Sequence, residues 1–101
     1  MQKFEKDFEE FCKSEYENSR KASSYVNAIR YLCDYMGIYE INEDAVCKIK
    51  SVEENLKDKS SPFYRELLKF LSERRQSSYL KNGFICAALK YLFLFWELQV
   101  K

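Results

Sequence analysis

Only Gly37, Pro62 and Gly83 interrupt this 101-residue chain with the residues that make tight turns. Hairpins and bulges depend on such residues, above all on glycine at positive φ, and a multi-stranded sheet needs several of them. The chain is therefore expected to be all-α. Its length suits one domain spanning residues 1–101, large enough to bury about two thirds of the surface it exposes when unfolded. Hydrophobic residues at 47% supply a core and leave no case for intrinsic disorder.

Periodicity places the helices. Phe4, Phe8, Phe11, Cys12 and Tyr16 recur every three or four residues and mark a first amphipathic helix. A second, capped by Asn18 or Ser19, carries Ala22, Tyr25, Val26, Ile29, Leu32, Cys33 and Met36 and stops at Gly37. After the apolar connector Ile38–Ile41, Asn42 caps a short third helix with Val46, Cys47 and Ile49. Ser51 and Glu54 have capping-box spacing, so one or two further turns holding Val52 and Leu56 are expected to begin there. Pro62 opens a helix with Phe63, Leu67, Leu68, Phe70 and Leu71, which ends at Glu73–Arg75. The last helix begins between Ser78 and Gly83 and is apolar on almost every face from Phe84 to Leu98, so it must be surrounded by its own domain or by a second chain. The expected architecture is a compact single-domain bundle of about five helices around this apolar C-terminal one.

The same residues exclude much chemistry. With no histidine, the usual proton shuttle and the Ser-His and Cys-His nucleophile pairs are absent. Cys12, Cys33, Cys47 and Cys86 form no Cys-x-x-Cys pair, so no metal site is expected. They read as small buried hydrophobes in a chain that lacks an apolar leader and suits a reducing cytoplasm. The carboxylates, such as Glu9–Glu10, Asp34, Glu43–Asp44 and Glu53–Glu54, read as solvated helix faces. Neither glycine belongs to a phosphate-binding loop. No catalytic residue, cofactor or small-molecule substrate is expected. Phe84–Trp96, broken by Lys90, is shorter than the ~18–20 apolar residues that span a bilayer, so no membrane role is expected either.

A net charge of +1 provides no global field toward nucleic acid, so any such surface must come from local segregation of charge. Two clusters qualify. Arg20 and Lys21 stand with Ser19, Ser23 and Ser24 at the start of the second helix, where phosphate oxygens can be gripped. Arg74, Arg75, Gln76, Ser77, Ser78, Tyr79, Lys81 and Asn82 join positive charge, hydrogen-bonding groups and a ring before the last helix. Solvated helix ends, with Arg74 and Arg75 neutralising a helix dipole, account for the same residues without any partner.

The run Ser24-Tyr25-Val26-Asn27-Ala28-Ile29-Arg30-Tyr31-Leu32, followed by Asn82-Gly83-Phe84, Ala87-Ala88-Leu89-Lys90 and Phe95, resembles a small helical domain of HNH-type and methylcytosine-dependent restriction endonucleases. That domain is in turn similar to the SAM-like core-binding domain of phage integrases. The resemblance covers about Phe8 to Trp96 and implies contact with DNA without catalysis, with Arg20, Lys21, Lys81 and Asn82 at matching polar positions. The last helix departs from the pattern, since Tyr91, Phe93, Leu94 and Trp96 stand where polar residues are expected. A homodimer or protein-partner interface on this helix explains them, and so does a deep monomeric core. Two functions follow as expectations. One is a non-catalytic module binding DNA or a DNA-processing complex through Arg20, Lys21, Ser24, Arg74, Arg75, Lys81 and Asn82. The other is a protein-interaction module from a mobile element, such as an inhibitor of a host restriction or CRISPR nuclease.

Overall fold

The structure, a computed structural model, describes the backbone of residues 2–15 and 19–99 and the side chains of 4–14 and 21–98. Six helices occur among the described residues: α1 (Gln2–Glu15), α2 (Ser19–Met36), α3 (Glu43–Lys57), α4 (Pro62–Glu73), α5 (Ser78–Lys81) and α6 (Phe84–Gln99). The chain is an all-α single-domain bundle whose Cα radius of gyration is 13.0 Å, the value of about 13 Å expected for a compact chain of 100 residues. Tyr16 and Asn18 lie outside the described residues, so the first connection is left undescribed.

Helix α6 is the axis of the bundle, touched by α1, α2, α3 and α5. Its inner face, Ile85, Ala88, Leu89, Leu92 and Phe95, is buried. Phe95 is the meeting point of α1 and α6: Phe4, Phe8 and Phe11 place their ring centroids 5.6, 5.7 and 5.3 Å from it. Such tilted and edge-on pairs favour the aromatic quadrupoles and contribute roughly 0.5–1.5 kcal/mol each beyond area burial. On the other side Tyr25 of α2 stacks on Tyr91 at 5.5 Å and meets Phe84 at 6.2 Å.

Local chemistry sets the joints. Glycine at φ 72 ends α2: the Gly37 N–H donates to Asp34 O and the Ile38 N–H to Cys33 O at 2.9 Å, a Schellman motif. Ile38 and Ile41 then turn inward, while Tyr39 between them is 84% exposed. Asn42 accepts the Ala45 N–H at 2.9 Å and caps α3. From there α3 runs unbroken to Lys57, so the expected restart at Ser51 does not occur. The Ser51 hydroxyl instead donates to Lys48 O at 2.6 Å within the helix, and the stripe Ala45, Val46, Ile49, Leu56 continues through it.

Ser61, the one polar side chain among the buried residues described, joins α3 to α4. Its hydroxyl donates to Asn55 O at 2.8 Å and accepts the Tyr64 N–H at 3.1 Å, so a single oxygen caps the start of α4 and ties it to the last turn of α3. Ser61→Ala is expected to cost about 1–2 kcal/mol in urea unfolding.

Cys12 and Cys33 are fully buried where α1 and α2 meet the core, whereas Cys47 is exposed and Cys86 half-buried, so only part of the cysteine set behaves as core. Burial chiefly, with Glu9 nearby, pushes the Cys12 thiol up to about 11. Burial, then Asp34 and Glu5, pushes Cys33 up to about 12. Both groups hold their protons more tightly folded than unfolded. Their contribution to stability is therefore complete below pH 9 and is lost as the pH rises towards 11–12. Urea melts at pH 8 and 10.5 should show a loss on the order of 2 kcal/mol per thiol, shallower in Cys33→Ala.

Candidate nucleic-acid interface

The second basic cluster occupies the junction between α4 and α6, and its two arginines behave differently. Arg74 folds back on its own helix: its guanidinium lies 3.6 Å from the centroid of Phe70, and Nη1 donates to Phe70 O at 3.1 Å. That is the dipole-neutralising role open to an arginine at a helix C-terminus. Arg75, one residue on, is exposed, in no ion pair among the described residues, and held at φ 59.

Arg75 sits where glycine would be expected. The Gln76 N–H donates to Leu71 O at 2.8 Å and the Arg75 N–H to Ser72 O at 3.1 Å, the same Schellman geometry that ends α2. At the equivalent position α2 uses Gly37. A left-handed backbone costs an L-residue roughly 1–2 kcal/mol that glycine avoids. The arginine side chain makes no described contact that offsets this strain.

Beyond it, Ser77 leads into α5 without a side-chain cap bond. The side chains of Gln76, Ser77, Ser78 and Asn82 hold no hydrogen bond among the described residues, leaving their donors to water. Lys81 and Asn82 are exposed at the end of α5, and Gly83 at φ 77 turns the chain into α6. From Arg74 to Trp96 there are four cations, Arg74, Arg75, Lys81 and Lys90, and no carboxylate.

The first cluster lies at the start of α2, a helix that ring contacts tie to this junction. Ser24, Tyr31 and Tyr35 share one stripe of α2 at spacings of seven and four. Tyr31 packs on Tyr79 at 5.1 Å, Tyr79 on Phe84 at 5.9 Å, and Tyr35 meets Phe63 and Phe70 edge-on at 5.5 and 5.2 Å. The junction therefore lies along α2, with Arg74 towards its C-terminus and Phe84 against Tyr25, one turn from Lys21. The span from Tyr25 to Tyr35 is ~15 Å of helix, about four steps of a duplex at ~3.4 Å per step. Lys21 is exposed and in no ion pair among the described residues, and Ser24 is half-buried. Arg20 belongs to the first turn of α2, but its side chain lies outside the described residues. Residues 18–33 also carry no carboxylate.

The opposite flank of α2 is different. Arg30 pairs with Glu5 at 3.5 Å, Ser23 donates to Glu9 at 3.5 Å, and Glu9 also holds Lys13 at 3.3 Å. Glu5, Glu9, Ser23 and Arg30 line a polar hollow of about 400 Å³ between α1 and α2. Glu5 of α1 thus neutralises Arg30. A second hollow of about 220 Å³, lined by Tyr35, Glu66, Lys69, Phe70 and Glu73, borders the Arg74 end with acid. Among the described residues no three His, Cys, Asp or Glu side chains gather to hold a metal, and no helix is long and apolar enough to cross a membrane.

On α6 the four apolar positions separate. Tyr91 is stacked on Tyr25, Phe93 lies under Lys50 Nζ at 5.3 Å, and Trp96 packs against the core, while Leu94 is 42% exposed. Leu98, at the end of the apolar run, is 55% exposed. Sequence reasoning also missed the strain at Arg75, which only the backbone reveals, and the two carboxylate-free runs, which a tally of charge along the chain would have found. The chain matches no protein-family model, no curated protein and no solved structure.

Because glycine relieves the backbone at this position and Arg75 makes no described contact, Arg75→Gly should leave the fold intact. It should raise its stability by up to about 1 kcal/mol in urea unfolding. A loss of stability would show instead that the side chain serves the fold.

Proposed function

We propose that this domain is a non-catalytic nucleic-acid-binding module that holds the phosphate backbone of DNA along the α4–α5–α6 junction. Lys21, Arg75 and Lys81 supply charge, Arg74 frames one end, and Ser24 and Asn82 supply hydrogen bonds, with Arg20 in the adjoining turn. The observation that carries this reading is Arg75, an exposed cation held in a strained conformation at the start of a run, Arg74 to Trp96, that contains no carboxylate. Strain retained without an internal contact is the mark of a position kept for an external one. The unspent donors of Gln76, Ser77, Ser78 and Asn82 fit phosphate oxygens, whose contacts position a duplex without reading its sequence.

The resemblance to the SAM-like domain of restriction endonucleases and integrases agrees with a role beside DNA-processing machinery, in a cytoplasmic setting. An inhibitor of a host nuclease would use acidic helix faces or the apolar last helix instead, and would not bind a bare duplex.

Fluorescence anisotropy with a short labelled duplex tests the reading. Three phosphates neutralised give a salt slope near −2.7, so affinity should fall ~40-fold between 50 and 200 mM salt. Arg75→Gly and Lys81→Ala should each weaken binding at 50 mM salt and reduce the slope by ~0.9, with melting temperature unchanged or raised in Arg75→Gly. Absence of binding at 50 mM salt would sink the proposal.

A further inference from the structure

The outer face of α6 leaves apolar surface uncovered. Among the described residues three large hydrophobic side chains are exposed, and two of them, Leu94 and Leu98, stand one turn apart on this helix. Lys90 and Glu97 bracket Leu94 at −4 and +3 on the same exposed face. Neither is in an ion pair among the described residues. They stand seven residues apart, ~10 Å along the helix, each beside the apolar pair.

We propose that this face binds a second copy of the chain, α6 against α6 in antiparallel orientation about a two-fold axis at Leu94. The charge pattern selects both the partner and the direction. In an antiparallel pair the residue at +3 lies opposite that at about −4, so Glu97 of each copy meets Lys90 of the other. Leu94 meets its own equivalent, and Leu98 packs on the aliphatic stem of the second copy's Lys90. In a parallel pair Lys90 would face Lys90 and Glu97 would face Glu97, which repel. A stripe one helix wide offers less than the ~800 Å² per partner of a standard interface, so the association is weak, and loadings from ~10 µM to ~1 mM bracket it. This surface is independent of the nucleic-acid reading.

Sedimentation equilibrium on the full chain tests it. The wild type should shift from monomer to dimer across that concentration range. Leu94→Glu should remain monomeric with an unchanged melting curve, since the side chain is outside the core. Lys90→Glu and Glu97→Lys should each be monomeric alone, because each confronts like charges, while an equimolar mixture of the two should associate as tightly as the wild type. A wild type that stays monomeric at ~1 mM overturns the proposal, as do single-charge variants that associate unchanged. A mixture associating far more tightly than the wild type would place the helices parallel and overturn the antiparallel arrangement.

Discussion

The packing of α6 organises the molecule, because a helix with apolar residues around most of its circumference has to be covered on several sides at once. Phe4, Phe8 and Phe11 of α1 close on Phe95, Tyr25 of α2 closes on Phe84 and Tyr91, and Lys50 of α3 lies over Phe93. Small residues allow this approach: Ala22, Ala28 and Ala88 are fully buried. What these contacts do not cover is the stripe of Lys90, Leu94, Glu97 and Leu98, so the same constraint that builds the core also defines the surface available for association.

The position of α2 has an electrostatic consequence. It lies between α1, whose Glu5 and Glu9 engage Arg30 and Ser23, and the junction, where Arg75 and Lys81 have no described carboxylate partner. The charges on the α1 flank of this helix are therefore paired within the fold, while Arg75 and Lys81 are not, in a chain whose formal charge is only +1. Local potential rather than net charge governs attraction of a polyanion.

The two helix ends that share Schellman geometry show how fold and function separate. At Gly37 the residue suits the backbone and Ile38 completes the motif by burying itself. At Arg75 the backbone geometry is the same, but an L-residue with a long charged side chain holds the left-handed position. Ser61, by contrast, is fully explained by the two helices its hydroxyl joins.

Spacing of three and four, the Asn42 cap, Pro62 and Gly37 made the helices and most of their boundaries legible, because these signals act between residues close in sequence. Ser51 misled for the same reason: its local capping pattern was overridden by the continuous buried stripe from Val46 to Leu56, a tertiary effect. The separate turn α5 was missed because four residues are too few to show a period. The basic residues of the interface could be named from the sequence, but not that Arg74 is docked on Phe70 while Arg75 is strained and solvent-facing. Nor could the sequence show that rings 31 and 79 pack α2 against the second cluster. The sequence by itself determined the helices and the kinds of residue available to a site. The tertiary structure alone decided which charges are neutralised and which face of α6 stays bare, because ion pairs and burial depend on residues far apart in the chain, whereas helix formation depends on near neighbours.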